Sequence, residues 1–137
     1  MMRLRFTYLW IALLCFLSVS SPARAHHSFN AEFDANKSVV ITGVLEKVEW
    51  INPHCFWWIQ GKDQDGNEGL WSVQGFSPSE LHLAGIKRDN AGKPGDQVTF
   101  EGYAAKDGTK LLAFGKTLKF ADGRSVTMGV RDPTKDK

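Results

Sequence analysis

Cysteine is almost missing from this chain, which holds only Cys15 and Cys55. Cys15 lies within the first twenty residues, so a chain trimmed at its start keeps Cys55 alone and has no partner for an internal disulfide. An excess of one charge is missing too. The 17 Lys+Arg face 15 Asp+Glu, and Arg3, Arg5 and Arg24 all precede the first acid. Without residues 1–25 the balance becomes 14 basic against 15 acidic residues, a net charge of −1. The sequence pI of 8.6 therefore belongs largely to the leader. No basic surface is expected that would attract nucleic acid or an anionic membrane. Long apolar runs are also absent. The longest, Phe6 to Val19, falls short of the roughly 20 residues that span a bilayer, which argues against a retained anchor.

The first stretch is built as an export signal. Arg3 and Arg5 form its positive end, Phe6 to Val19 its apolar body, and Ser20 to Ala25 its polar exit, where Pro22 stops the helix. Ala23 and Ala25 are the small residues a signal peptidase accepts. Cys15 lacks the small residue expected before a lipidated cysteine. The expected organisation is therefore a signal peptide over 1–25, cleaved after Ala25, and a periplasmic product. An extended arm over 26–37, a folded domain over 38–130 and a disordered tail over 131–137 follow.

About 112 residues remain, enough for one domain with a single core. From Ser38 to Ile51 the β-branched and aromatic residues Val39, Ile41, Val44, Val48 and Trp50 predict a long strand, with Gly43 as a bulge or bend. Asn52-Pro53 signals a turn. Cys55 to Gln60 is a dense aromatic strand, and Glu68 to Phe76 returns after a hairpin loop. Ser77-Pro78-Ser79-Glu80 reads as a capped helix start, and the short helix is expected to end near Gly85. Gln97–Ala105, Leu111–Phe120 and Ser125–Val130 are three more strands, the last two joined by an Asp122-Gly123 hairpin signal. Phe29 and Phe33 are placed to pin the arm to the body.

Three strands, a helix and two or three strands make an all-β chain with one short helix. That is the order of an OB-fold-like small β-barrel of five to six strands. A β-sandwich would need about seven strands and seldom has a helix in mid-chain.

His26-His27-Ser28-Phe29, Glu32-Phe33-Asp34, Val48-Glu49-Trp50 and Asn52-Pro53-His54 resemble a secreted bacterial family, domain of unknown function 6152. Lys93-Pro94-Gly95-Asp96-Gln97-Val98, Gly102-Tyr103 and Ala121-Asp122-Gly123-Arg124 are similar to its later segments. The resemblance covers nearly all of the chain after the leader. It implies a small periplasmic β-domain and transfers no catalytic residue.

Two constellations carry chemistry. Cleavage after Ala25 makes His26 residue one, so its amine and its own imidazole form a chelate. One more imidazole completes a three-nitrogen plane suited to Cu(II). An amine titrating near ~8 and a histidine near ~6.5 can both give up their protons to a metal. His54 is the best third donor, because Pro53 sets the turn before it. His27 is too close to join the same plane easily but can ligate alone. The competing reading is that both are polar residues left at a processed end. His82 is read as an ordinary residue of the helix.

The second constellation is aromatic. Alternation puts Phe56 and Trp58 on one face of their strand and Cys55, Trp57 and Ile59 on the other, so one set fills the core. Trp50, Phe56, Trp58 and Trp71 are the candidates for a face that binds a protein or small ligand without metal. The alternative is that tryptophans simply cover a thin core.

Asp63 to Glu68 looks superficially like a calcium loop, but the sixth and twelfth positions hold Glu68 and Gln74 instead of Gly and Glu. A hairpin turn is expected. No Ser-His-Asp elbow, phosphate loop or paired-carboxylate motif is visible, and His54 and Cys55 point to opposite faces of a strand. The expected activity is binding, not catalysis.

Overall fold

A computed structural model describes residues 29–128. The leader, His26, His27 and the tail over 131–137 lie outside the described residues.

The described residues form eight elements: α1 (Phe29–Glu32), β1 (Phe33–Glu49), β2 (Phe56–Asp63), β3 (Glu68–Gln74), α2 (Pro78–Leu83), β4 (Gln97–Ala105), β5 (Leu112–Phe120) and β6 (Ser125–Thr127). Strand makes up 53% of the described residues, in one six-stranded sheet ordered β3-β2-β1-β4-β5-β6. A parallel pairing of β3 with β5, Ser72 opposite Leu112 and Gln74 opposite Phe114, joins the ends of five of those strands. The hydrogen bonding therefore runs in a ring, as in a small OB-like barrel, and β6 hangs on the outside of β5. Closure of this kind removes most of the exposed strand edge.

Alternation explains which residues fill the ring. Val39, Ile41 and Leu45 of β1, Trp57 and Ile59 of β2, Trp71 and Val73 of β3, Val98 and Phe100 of β4 and Ala113 and Leu118 of β5 are buried. Gly43 lies on the same inward parity of β1. The expected irregularity in this strand falls elsewhere: the register jumps between Leu45 and Lys47, opposite Ile59 and Trp58. That jump moves the inward positions from odd to even numbers, so Val48 and Trp50 also pack on the core. Gly43 serves a close backbone approach, sitting opposite Gly61 across β1 and β2.

The arm differs from the extended segment expected over 26–37. Phe29 begins a single helical turn and β1 starts at Phe33, earlier than Ser38. The reason is tertiary. Phe29 stacks on Phe33 at 5.8 Å and meets Tyr103 and Phe114 edge-on, each at 5.2 Å. Lys106 adds two bonds, its backbone N–H to the Glu32 carbonyl at 2.8 Å and its Nζ to the Asn30 carbonyl at 2.9 Å. Two helices therefore stand among the described residues, where one was expected.

Helix α2 matches its sequence signal. Ser77 caps it in a capping box with Glu80, and Pro78 opens the first turn. At its end Gly85 takes a φ of +80°. Its N–H bonds the His82 carbonyl, and the Ile86 N–H bonds that of Leu81, both Leu81 and Ile86 being buried.

The loop over 63–67 is a hairpin turn, as expected. Asp63 Oδ1 accepts the backbone N–H groups of Asp65 and Asn67, and Oδ2 accepts the Asn67 side chain. Burial alone would raise the Asp63 carboxyl. The bonds from Asn67, Asp65 and Gly66 outweigh it and hold the group below the usual carboxylate range. Its contribution to stability is present above that usual range and is lost as pH falls through the lowered value.

Candidate functional site

His54 follows a cis Asn52-Pro53 bond at the mouth of β2. It is half-buried, and its Nδ1 lies 3.1 Å from the Gly75 carbonyl oxygen. A carbonyl can only accept, so Nδ1 carries the proton, and in the neutral ring the lone pair sits on Nε2. The Gly75 backbone is itself held. Its N–H donates to the Cys55 carbonyl at 2.8 Å, while the Cys55 N–H donates to the Phe76 carbonyl at 3.0 Å. Beneath Gly75 lies the Trp57 ring, which leaves no room for a side chain there. A histidine fixed at one nitrogen by a rigid carbonyl, with the other nitrogen available, has the orientation metal-binding imidazoles use.

The same end of the barrel carries the aromatic anchor of the arm. Phe76 meets Phe114 at 5.3 Å, and Phe114 meets Phe29 at 5.2 Å. Two ring-to-ring steps therefore connect the residue next to Gly75 with the first described residue of the arm. His26 and His27 lie outside the described residues. Among the described residues no group of three His, Cys, Asp or Glu side chains is gathered in a way that could hold a metal ion. His82 is exposed on α2.

The four aromatic candidates divide. Trp71 is 4% exposed and belongs to the core, and its Nε1 has no hydrogen-bond partner among the described residues. Trp50 is half-buried, 6.4 Å from the Trp57 ring and covered by the Arg88 guanidinium at 5.4 Å. Phe56 and Trp58 are half-buried on the outward parity of β2. The Trp58 Nε1 donates to Glu49 Oε2 at 2.8 Å, and Lys47 Nζ lies 5.1 Å above its ring. Lys47, and after it the Trp58 indole, hold the Glu49 carboxyl below the usual range by hydrogen bonding. A shallow depression of about 410 Å³ lies elsewhere, between the end of α2 and β6, with Ile86, Asn90, Ser125 and Thr127 in its wall.

Cys55 is fully buried beside His54 and faces inward. Burial pushes its thiol up to about 11, against smaller lowering effects from the Ile51 backbone and the Arg88 charge. The thiolate is the reactive form, so alkylation of the native protein at pH 8 should run about 100-fold or more slower than in denaturant. Equal rates measured by mass spectrometry would show that the thiol is open to solvent.

These features define a small OB-like barrel with an aromatic arm pinned to its wall and a tethered histidine at one end. The chain belongs to the family of unknown function DUF6152, whose model matches residues 13–113. Neither a curated protein nor a solved structure matches it.

Proposed function

We propose that this chain is an exported, periplasmic binding protein without catalytic activity, and that it binds copper at its processed N-terminus. The amine and imidazole of His26 form the chelate, His54 Nε2 supplies the third nitrogen, and His27 stands by as a further ligand. The observation that carries this reading is the bond from His54 Nδ1 to the Gly75 carbonyl, which leaves Nε2 as the ring's donor nitrogen. The aromatic-face alternative draws less support, because Arg88 covers Trp50 and Lys47 and Glu49 already engage Trp58.

Mass spectrometry of the secreted protein should give a chain beginning at His26. Calorimetric titration of that chain with Cu(II) should show one tight site. Loss of an outer partner of a metal ligand costs about 10–100-fold in affinity. Loss of the chelating amine, by one glycine added before His26, should cost more than about 100-fold. Equal affinity in the two forms would overturn the chelate.

A further inference from the structure

We infer that Arg88 and Trp50 form a recognition site for a carboxylate carried next to an apolar group. The site goes beyond the copper reading and does not depend on it. Its basis is a comparison within the molecule. Among the described residues three cations lie over aromatic rings: Lys47 over Trp58 at 5.1 Å, Arg124 over Phe120 at 4.4 Å and Arg88 over Trp50 at 5.4 Å. The first two each have a carboxylate oxygen at 2.7 Å, from Glu49 and Asp122. Arg88 has no carboxylate within ion-pair distance among the described residues.

The Lys47 cluster shows how such a pair holds an acid. Glu49 takes the Lys47 ammonium on Oε1 and the Trp58 Nε1–H on Oε2, the latter at 2.8 Å. Arg88 and Trp50 bring together the same two kinds of donor. The Trp50 Nε1 has no acceptor among the described residues and, unlike that of Trp71, is not sealed from solvent. A guanidinium also presents its N–H groups as a planar fork that fits the two oxygens of a carboxylate.

Being held matters as much as charge. Lys62, Lys87 and Lys93 have no acid at ion-pair distance among the described residues either, but no ring holds them. Each would give up its side-chain freedom on binding an anion. Arg88 rests on an indole that packs against the core ring of Trp57 at 6.4 Å, so less freedom is left to lose. Ile51, next to Trp50 in the chain, is 50% exposed. It sets apolar surface beside the two donors, which selects an acid with an apolar flank over a bare anion. Such a group comes either from a free acid or from a protein segment with an acidic residue beside an apolar one.

The test is a titration of the purified secreted protein in EDTA, followed by NMR at the Arg88 Nε–H and the Trp50 indole N–H. Isovalerate should shift both signals saturably, and uncharged isovaleramide should bind at least about 10-fold more weakly. Acetyl-Leu-Glu-Leu-amide, whose one carboxylate is a side chain, is the second probe. Tighter binding of the peptide assigns a protein segment and tighter binding of isovalerate a free acid, and either result supports the site. Arg88→Gln, at an exposed position, should weaken both probes at least about 10-fold. Trp50→Phe keeps a ring under Arg88 but removes the N–H, and should cost about 3–10-fold.

Equal affinity for isovalerate and isovaleramide would overturn the site, as would equal affinity in wild type and Arg88→Gln. Inorganic phosphate bound as tightly as isovalerate would show that no carboxylate is being recognised. Full affinity in Trp50→Phe would remove the indole from the site and with it the two-donor arrangement. Should Trp50→Phe prove unfolded by circular dichroism, Arg88→Gln decides the question alone.

Discussion

Trp57→Ala should destabilise the barrel by about 3–5 kcal/mol, the range for deleting a large buried aromatic. Its ring is 0% exposed and lies beneath Gly75, between Trp50 and Phe100 at 6.4 Å each. The substitution also strands the Ala91 carbonyl, which now accepts the Trp57 Nε1 at 2.9 Å, for about 1 kcal/mol more. A domain of this size is stable by about 5–15 kcal/mol in all, so a large share goes with one side chain. The measurable result is a thermal midpoint lower by roughly 15–30 °C. Trp58→Ala is the matched control, one residue along and on the other face. It loses one indole bond to Glu49 and half a ring of burial, and should cost about 1–2 kcal/mol. Equal losses at the two positions would mean that the inward and outward faces of β2 are wrongly assigned.

That contrast was legible in the sequence, because alternation over Cys55 to Gln60 is strict and only one set of side chains fits inside a barrel. The α2 cap and the Asp-Gly hairpin were legible for a similar reason, each being settled within four residues. Trp71 was not. It was a candidate for an outer face, yet it points inward with Val73 while Leu70 is left 45% exposed. The parity of a short strand containing both Leu70 and Trp71 is decided by its partners, Ile59 opposite Trp71 and Gln60 opposite Leu70.

The start of β1 was hidden for the same kind of reason. Residues 29–33 have no period of their own, and their structure comes from Tyr103, Lys106 and Phe114, some seventy or more positions away. Closure of the ring by β3 and β5 is likewise a pairing between distant segments. Of the candidate site, His54 could be named from its histidine and the proline before it. Its orientation could not, since that depends on the carbonyl of Gly75, which the turn geometry and the β2–β3 register bring to it.

Gly43 is where a sequence signal pointed to the right residue for the wrong cause, and the difference can be measured. As a bulge or bend it would have needed freedom of its backbone torsions, but Gly43 has no left-handed φ, unlike Gly66 at +85°. What it needs is space. A Cβ placed on Gly43 would fall inside contact distance of the Gln60 carbonyl oxygen and 2.6 Å from the Gly61 Cα, both of them backbone atoms of β2. A rotamer change relieves a clash with a side chain, but here β1 and β2 would have to separate, with their register partners running from Ile41 to Glu49. Overpacking costs about 1–3 kcal/mol when side chains can yield. With backbone on the receiving side, Gly43→Ala should cost at least about 3 kcal/mol. Gly66→Ala has nothing within 4 Å of its added methyl and pays only for a left-handed torsion, about 1–2 kcal/mol. Denaturant melts of the two variants should therefore rank Gly43→Ala well below Gly66→Ala. The reverse order would place the strain in the hairpin and leave β1 and β2 free to move apart.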